Sequence, residues 1–300
     1  MNRKGLAVGL ILLLIGTSVI PITAQDAEKP LPTSRGNWLY VGGSGPGNYT
    51  KIQDAINSSS DGDTVFVYDD SSPYIENLEI DTSISLIGED KDTTIVERKT
   101  NASHVPLLPI INITADHVTV RGFTIQNSSN GAGICLTSNY NVITDNIISD
   151  TLYGIVTPYG YSNQSSSQDK GNNIITNNLL IRNGGGIFCV GGGLEIIQGN
   201  IISQTEIGII IMMEISNNIS NNDISENTMG VFIVQSFNIV LIRNNISSNE
   251  IGVFTMITSA LRILHNNFIG NERNAEFSQI FLESIKYFKK SLNRECRNPR

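Results

Sequence analysis

The feature that most constrains this chain is a 22-residue ruler running through its second half. Glycines recur at Gly133, Gly154, Gly186, Gly208, Gly230 and Gly252, and the last four are spaced by 22 residues. The earlier intervals are 21 and 32 residues, and the surplus of the longer one falls in a polar stretch, 159–171, that reads as a loop. A second column keeps the same register at Asn146, Asn178, Asn200, Asn222, Asn244 and Asn266. An aliphatic residue lies three positions before each of these asparagines, and an aliphatic or Phe268 lies two positions after. Self-similarity at a fixed short period is the mark of a solenoid, in which each repeat buries its apolar face only against its neighbours.

Inside each period the pattern alternates by two, as in a strand. Ile134, Ile155, Ile187, Ile209, Val231 and Val253 form one inward column, and Leu136, Thr157, Cys189, Ile211, Ile233 and Thr255 form another. Between them an outward column holds Cys135, Val156, Phe188, Ile210, Phe232 and Phe254. The expected fold is all-β: a right-handed parallel β-helix of about 22 residues per coil, with coils about 4.8 Å apart. The asparagines are expected at the corners, stacked so that their amides bond one another or the turn backbone. The glycines serve either a close approach or a positive φ. A leucine-rich horseshoe is excluded by the lack of regular Leu-x-x-Leu-x-Leu spacing.

The ends differ from the body. Arg3 and Lys4 precede an apolar run from Leu6 to Ile20, and Thr23-Ala24 suits cleavage of a signal peptide near Ala24, over residues 1–24. Residues 25–47 read as a polar linker and 48–270 as the β-helix. At the start of the β-helix, Thr50 and Gln53 have capping-box spacing before a short helix carrying Ile52, Ala55 and Ile56. Residues 271–300 form a tail in which Phe277, Ile280, Phe281, Ile285, Phe288 and Leu292 recur at helical spacing. This pattern is expected to cap the last coil or to contact a membrane surface.

Charge narrows the partners. Removing Arg3 and Lys4 with the leader turns a formal charge of −8 into −10, which opposes binding to nucleic-acid phosphates. Eight Asn-x-Ser/Thr sequons occur in a chain already rich in both residue types. The three cysteines make no disulfide framework, because Cys135 points outward, Cys189 inward and Cys296 lies in the tail.

The candidate chemistry is sparse. His104, His117 and His265 are scattered, and Met212 and Met256 stand two coils apart, so no metal or other cofactor is expected. Glu206 and Glu250 share a column, again two coils apart with Thr228 between them. At about 9.6 Å by strand spacing they are weak candidates for a catalytic carboxylate pair. Arg243 and His265 are neighbours in a basic column that reads as surface decoration. The outward aromatics Phe188, Phe232 and Phe254, bordered by Tyr159 and Tyr161 of the inserted loop, are the expected ligand-binding residues, for a glycan or a cell-envelope component.

The segment "YTKIQDAINSSSDGDTVFVYDDSSPYIENLEI" and repeats such as "NVITDNIIS" and "LIRNNISSNEIGVF" resemble the NosD-type β-helix proteins of the pectin-lyase-like superfamily over residues 48–270. The resemblance implies an exported protein, since such proteins are secreted or surface-associated. It leaves three roles open: non-catalytic glycan recognition or surface scaffolding, polysaccharide hydrolysis or lysis, and copper-centre maturation. The Asp-Phe pair of pectin methylesterases has no counterpart, and Arg262-Ile263-Leu264 lacks the lysine of the polygalacturonase signature. The favoured expectation is therefore glycan recognition or scaffolding without catalysis.

Overall fold

A computed structural model describes residues 36–99, 108–158 and 171–278. They form a parallel β-solenoid in which every strand pairing is parallel and each coil supplies three short strands. One representative coil contains Ile196–Gln198, Ile201–Ser203 and Ile207–Met212. The first strands of successive coils build a ten-stranded sheet. The second and third faces join into one sixteen-stranded sheet, because Thr124–Leu136 and Ile147–Pro158 run through the corner between them.

The register follows the ruler. Ile187 pairs with Ile209, Ile209 with Val231 and Val231 with Val253, each 22 residues on. Ile155 pairs with Ile187 across the 32-residue interval, so the insertion leaves the stacking intact. Both inward columns are buried, and Ile134, Ile155, Ile187, Ile209, Val231 and Val253 have no exposed surface. The repeated glycines are explained by close approach. A Cβ on Gly208 would stand 2.6 Å from the carbonyl oxygen of Gly230, and the equivalent contacts elsewhere in the column are as tight. None of the six has positive φ.

Positive φ belongs instead to single residues at the corners. Asp145, Asn177, Asn221, Arg243 and His265, each just before a ladder asparagine, have φ of 54–56°. Left-handed backbone costs a side-chain-bearing residue about 1–2 kcal/mol. The following asparagine holds the bend. Asn178, Asn200, Asn222, Asn244 and Asn266 accept, on Oδ1, the backbone N–H of the preceding ladder asparagine at 2.8–3.1 Å. Their Nδ2 groups donate to backbone carbonyls such as Ile175 O and Ile197 O at 2.9 Å. Two further ladders escaped the sequence reading: one through Asn183, Asn227, Asn249 and Asn271, and one through Asn141, Asn173 and Asn217.

The amino-terminal end departs from expectation in two ways. Trp38–Val41, within the stretch read as linker, is the outermost strand of the ten-stranded sheet and pairs with Thr64–Val67. Its signal was hidden because a four-residue strand is too short to show alternation against a glycine-rich background. The helix Ile52–Asn57 buries Ile52, Ala55 and Ile56, but no capping box starts it. The Glu76 carboxylate, 24 residues away, accepts the N–H groups of Ile52 and Gln53. Gln53 instead reaches sideways: its amide accepts the N–H of Glu79 and donates to the Glu79 carbonyl. That side chain thus satisfies, on strand Leu78–Ile80, the groups that a preceding coil would have paired.

At the other end Arg273–Phe277 is a strand paired with Ile251–Met256, so the solenoid continues past residue 270. Phe277 therefore belongs to a strand and not to the expected helix. Ile280, Phe281, Ile285, Phe288 and Leu292 lie outside the described residues, as do the leader and Tyr159 and Tyr161.

The ladder and the inward column give one prediction. Asn222→Ala leaves the Asn200 N–H and the Ile197 carbonyl without their partners, a loss of about 2–6 kcal/mol at 1–3 kcal/mol for each buried group. Ile209→Asp, which places a charge at a position with no exposed surface, costs at least as much. Asn218→Ala, on the exposed face of the ten-stranded sheet, changes stability by less than about 0.5 kcal/mol. Chemical denaturation of the three variants checks this order.

Candidate functional site

The outward column of the third face is longer than the sequence suggested. Strand register carries it from Glu79 and Asn112 through Cys135, Val156, Phe188, Ile210, Phe232 and Phe254 to Glu276. Eight steps between strands make a stripe about 38 Å long. Phe188, Phe232 and Phe254 are half-buried. The rings of Phe232 and Phe254 stack with centroids 5.6 Å apart, and Tyr153 packs on Phe188 at 5.2 Å. The stripe ends in polar groups: the Asn112 amide donates to both Glu79 carboxylate oxygens, and Arg273 pairs with Glu276. Burial, with Glu79 adding to it, pushes the Cys135 thiol up to about 11, so it is a packing group and not a nucleophile.

Beside the stripe, at the amino-terminal edge of the same strands, lies a polar groove of about 410 Å³. Thr205, Asn227, Thr228, Asn249, Glu226, Glu250 and Glu272 contribute to it. Glu206, Thr228, Glu250 and Glu272 precede the register-matched residues Ile207, Met229, Ile251 and Arg273, so they form one column. The expected pair Glu206 and Glu250 is therefore two coils apart, and Glu206 does not line the groove. Glu272 stands one coil from Glu250, about 4.8 Å by strand spacing. It is legible as Glu250 plus 22, although it lies beyond residue 270, the expected end of the β-helix.

A second acidic pair is internal. Glu195 occupies the position between Asn173 and Asn217 in the third ladder, and Glu214 follows on the next coil. Neither has exposed surface. Glu214 accepts from the Gly192 N–H and the Asn217 amide. Both Glu195 oxygens lack a donor among the described residues. Burial first, then the neighbouring Glu214 charge, raises the Glu195 carboxyl to about 9, and burial raises Glu214 to about 6. At neutral pH Glu195 is thus protonated, and its own proton is the donor facing Glu214. Cys189 lies within the field of both and is held well above the usual thiol range, chiefly by burial. The signal for this pair was a carboxylate standing in an asparagine column.

Residues 56–290 match the family described as "Periplasmic copper-binding protein (NosD)". No curated protein matches the chain. Among solved structures, XylC in complex with xylose is similar at 13% identity with a TM-score of 0.57, over 77% of this chain and 66% of that one. Iota-carrageenase complexed to iota-carrageenan fragments matches at 14% identity and TM-score 0.56, over 75% of this chain and 57% of that one. Pectate lyase Pel9A matches at 12% identity and TM-score 0.53, over 85% and 84% respectively. The chain therefore spans less than two thirds of the length of the first two. At these identities the likeness is one of fold.

The described residues do not fit a copper ion. No three His, Cys, Asp or Glu among them are grouped to hold a metal. His117 is stacked on Tyr140 at 5.1 Å, and His265 sits on a different column at a corner. Met212 and Met256 are separated by Val234 in their column. His104 and Cys296 lie outside the described residues.

The buried pair gives a pH prediction. Between about pH 4.5, the ordinary glutamate value, and pH 9 the folded chain keeps the Glu195 proton that the unfolded chain has lost. Stability attributable to this group is therefore full at low pH and falls as pH rises through that window. Glu195→Gln cannot titrate. Its melting temperature should match the parent's near pH 4.5 and exceed it by a margin that grows toward pH 9. Thermal melts across that range, with parallel curves as the contrary result, decide it.

Proposed function

Because the chain belongs to the NosD family, we propose that it is an exported, periplasmic or cell-surface β-helix that recognises glycans along the outer side of its third face. The observation carrying this reading is the stacked Phe232–Phe254 pair within a stripe of outward apolar side chains, running beside a groove of carboxylates and amides. Sugar rings present C–H faces that pack on aromatic rings, and hydroxyls that donate to carboxylates and exchange hydrogen bonds with amides. The stripe runs along the solenoid axis, so it suits an extended polymer better than a compact ligand. Xylose and carrageenan fragments in the neighbouring structures make glycans the ligand class proposed.

Charge selects among glycans. The groove carries Glu226, Glu250 and Glu272, and no Lys or Arg lines it. Uronate or sulfate groups would be repelled there, so the reading is for neutral or amine-bearing chains. A second reading, sugar hydrolysis, rests on Glu250 and Glu272 standing on adjacent coils, close to the 5–5.5 Å of a retaining carboxylate pair. Copper-centre maturation, the remaining role the family implies, has no site assigned among the described residues.

A glycan panel tests the primary reading. Neutral polysaccharides should bind the full chain and acidic ones should not. Phe232→Ala and Phe254→Ala should each weaken binding by about tenfold, equivalent to about 1.4 kcal/mol. Binding unaffected by both substitutions removes the stripe from the reading. Release of reducing ends that is abolished by Glu250→Gln or Glu272→Gln, with binding retained, would replace recognition by hydrolysis.

A further inference from the structure

One corner of the solenoid is apolar where a corner has no reason to be. Between the third face and the ten-stranded sheet, Leu194, Met213, Ile215, Phe237 and Ile257 are 42–56% exposed. They stack by register: Gly193, Ile215, Phe237 and Ser259 are linked by successive parallel bridges, and Met213, Gln235 and Ile257 form the neighbouring column. The backbone does not ask for these residues. Leu194, Met213 and Ile257 have φ of 68°, 54° and 52°, a region that glycine, asparagine and aspartate tolerate best. A β-branched residue such as Ile257 carries a backbone penalty there and still leaves 46% of its surface exposed.

We propose that this corner is the docking site of the chain's own carboxy-terminal segment, residues 279–300. The place where the described chain ends supports this occupant. Thr255 pairs with Phe277, and Ser278 donates its N–H to the Thr255 carbonyl, so the described chain ends at Ser278, beside Met256 and one residue short of the level of Ile257 at the foot of the apolar corner. Length agrees as well. Ile280 to Leu292, with apolar residues at helical spacing, would extend about 18 Å as a helix, and the corner from Ile257 back to Leu194 covers three coil steps, about 14 Å. Charge agrees in sign: residues 279–300 carry six Lys and Arg against two Glu, whereas the whole chain is at −8. An acidic solenoid attracts such a segment, and its apolar side takes up the corner.

Cysteine placement supplies the test. Cys189 is buried, and burial raises the Cys135 thiol to about 11, which leaves Cys296 as the thiol to label in the full chain. A nitroxide on Cys296 should attenuate the methyl signals of Met213, Ile215 and Ile257 and leave Ile201 and Ile269 unchanged. Ile201 is as exposed as the corner residues but belongs to another face, and Ile269 is at the last coil. Phe237→Glu should abolish the attenuation, and Ile201→Glu should not. Attenuation of Ile269 alone would mean that the segment caps the last coil. Attenuation seen only when labelled chains are mixed with unlabelled, isotope-enriched ones would mean a second copy occupies the corner. No attenuation, with binding of the label to anionic phosphatidylglycerol vesicles, would assign the segment to a membrane surface. Each of these three results overturns the proposal.

Discussion

The hydrogen bond from a backbone N–H to the Oδ1 of the asparagine one coil further on is the interaction this solenoid depends on. A three-sided coil must turn at each corner, within two to five residues in the coil that starts at Ile196, and there the regular strand pairing stops. The left-handed residues at Asp145, Asn177, Asn221, Arg243 and His265 make the bend. The asparagine that follows then satisfies an N–H and a carbonyl that would otherwise be buried without partners. Each amide serves its own coil and its neighbours, so the ladder transmits register along the axis. This is why the insertion between residues 158 and 171 can be accommodated without shifting the pairs on either side.

Stacking has a second consequence, which is that like residues gather. A residue type repeated at the same point of the period becomes a stripe about 4.8 Å per step, whatever its chemistry. Outward phenylalanines become an aromatic row, and Glu250 and Glu272 become neighbours in a groove. The same rule makes substitutions in a ladder costly. Glu195 replaces an asparagine between Asn173 and Asn217, and its longer side chain carries a carboxyl that finds no donor among the described residues, so the protein keeps it protonated beside Glu214. The outward stripe and the buried acidic pair thus arise from one geometric constraint.

How much was legible depended on whether a residue's partner lay one period away. The Asn146–Asn266 ladder, the inward columns and the outward direction of Phe188, Phe232 and Phe254 could all be read from spacing alone. Glu272 and the ladder through Asn227 and Asn249 carry the same 22-residue signal, but Glu272 lies beyond the expected end of the β-helix and the second ladder sits outside the Asn146–Asn266 column. The amino-terminal end was different. Thr50 and Gln53 have the spacing of a capping box, yet Glu76 caps the helix and Gln53 bonds to Glu79. Local sequence offers a plausible partner there, and a group 24 residues distant outcompetes it.

Sequence by itself determined the coil: its length, its alternation as short strands, which side chains face inward, and the stacking of the Asn146–Asn266 amides. These follow from periodicity, because in a solenoid the contacts of one repeat are the contacts of all. Tertiary structure decided what periodicity leaves open. It chose close approach over positive φ as the use of the repeated glycines. It brought Glu195 into the field of Glu214, and it left an apolar corner from Leu194 to Ile257 beside the point where the described chain ends. Each of these depends on the path of the chain through a corner, where backbone conformation and side-chain reach are set by neighbours in space and not by position within the repeat.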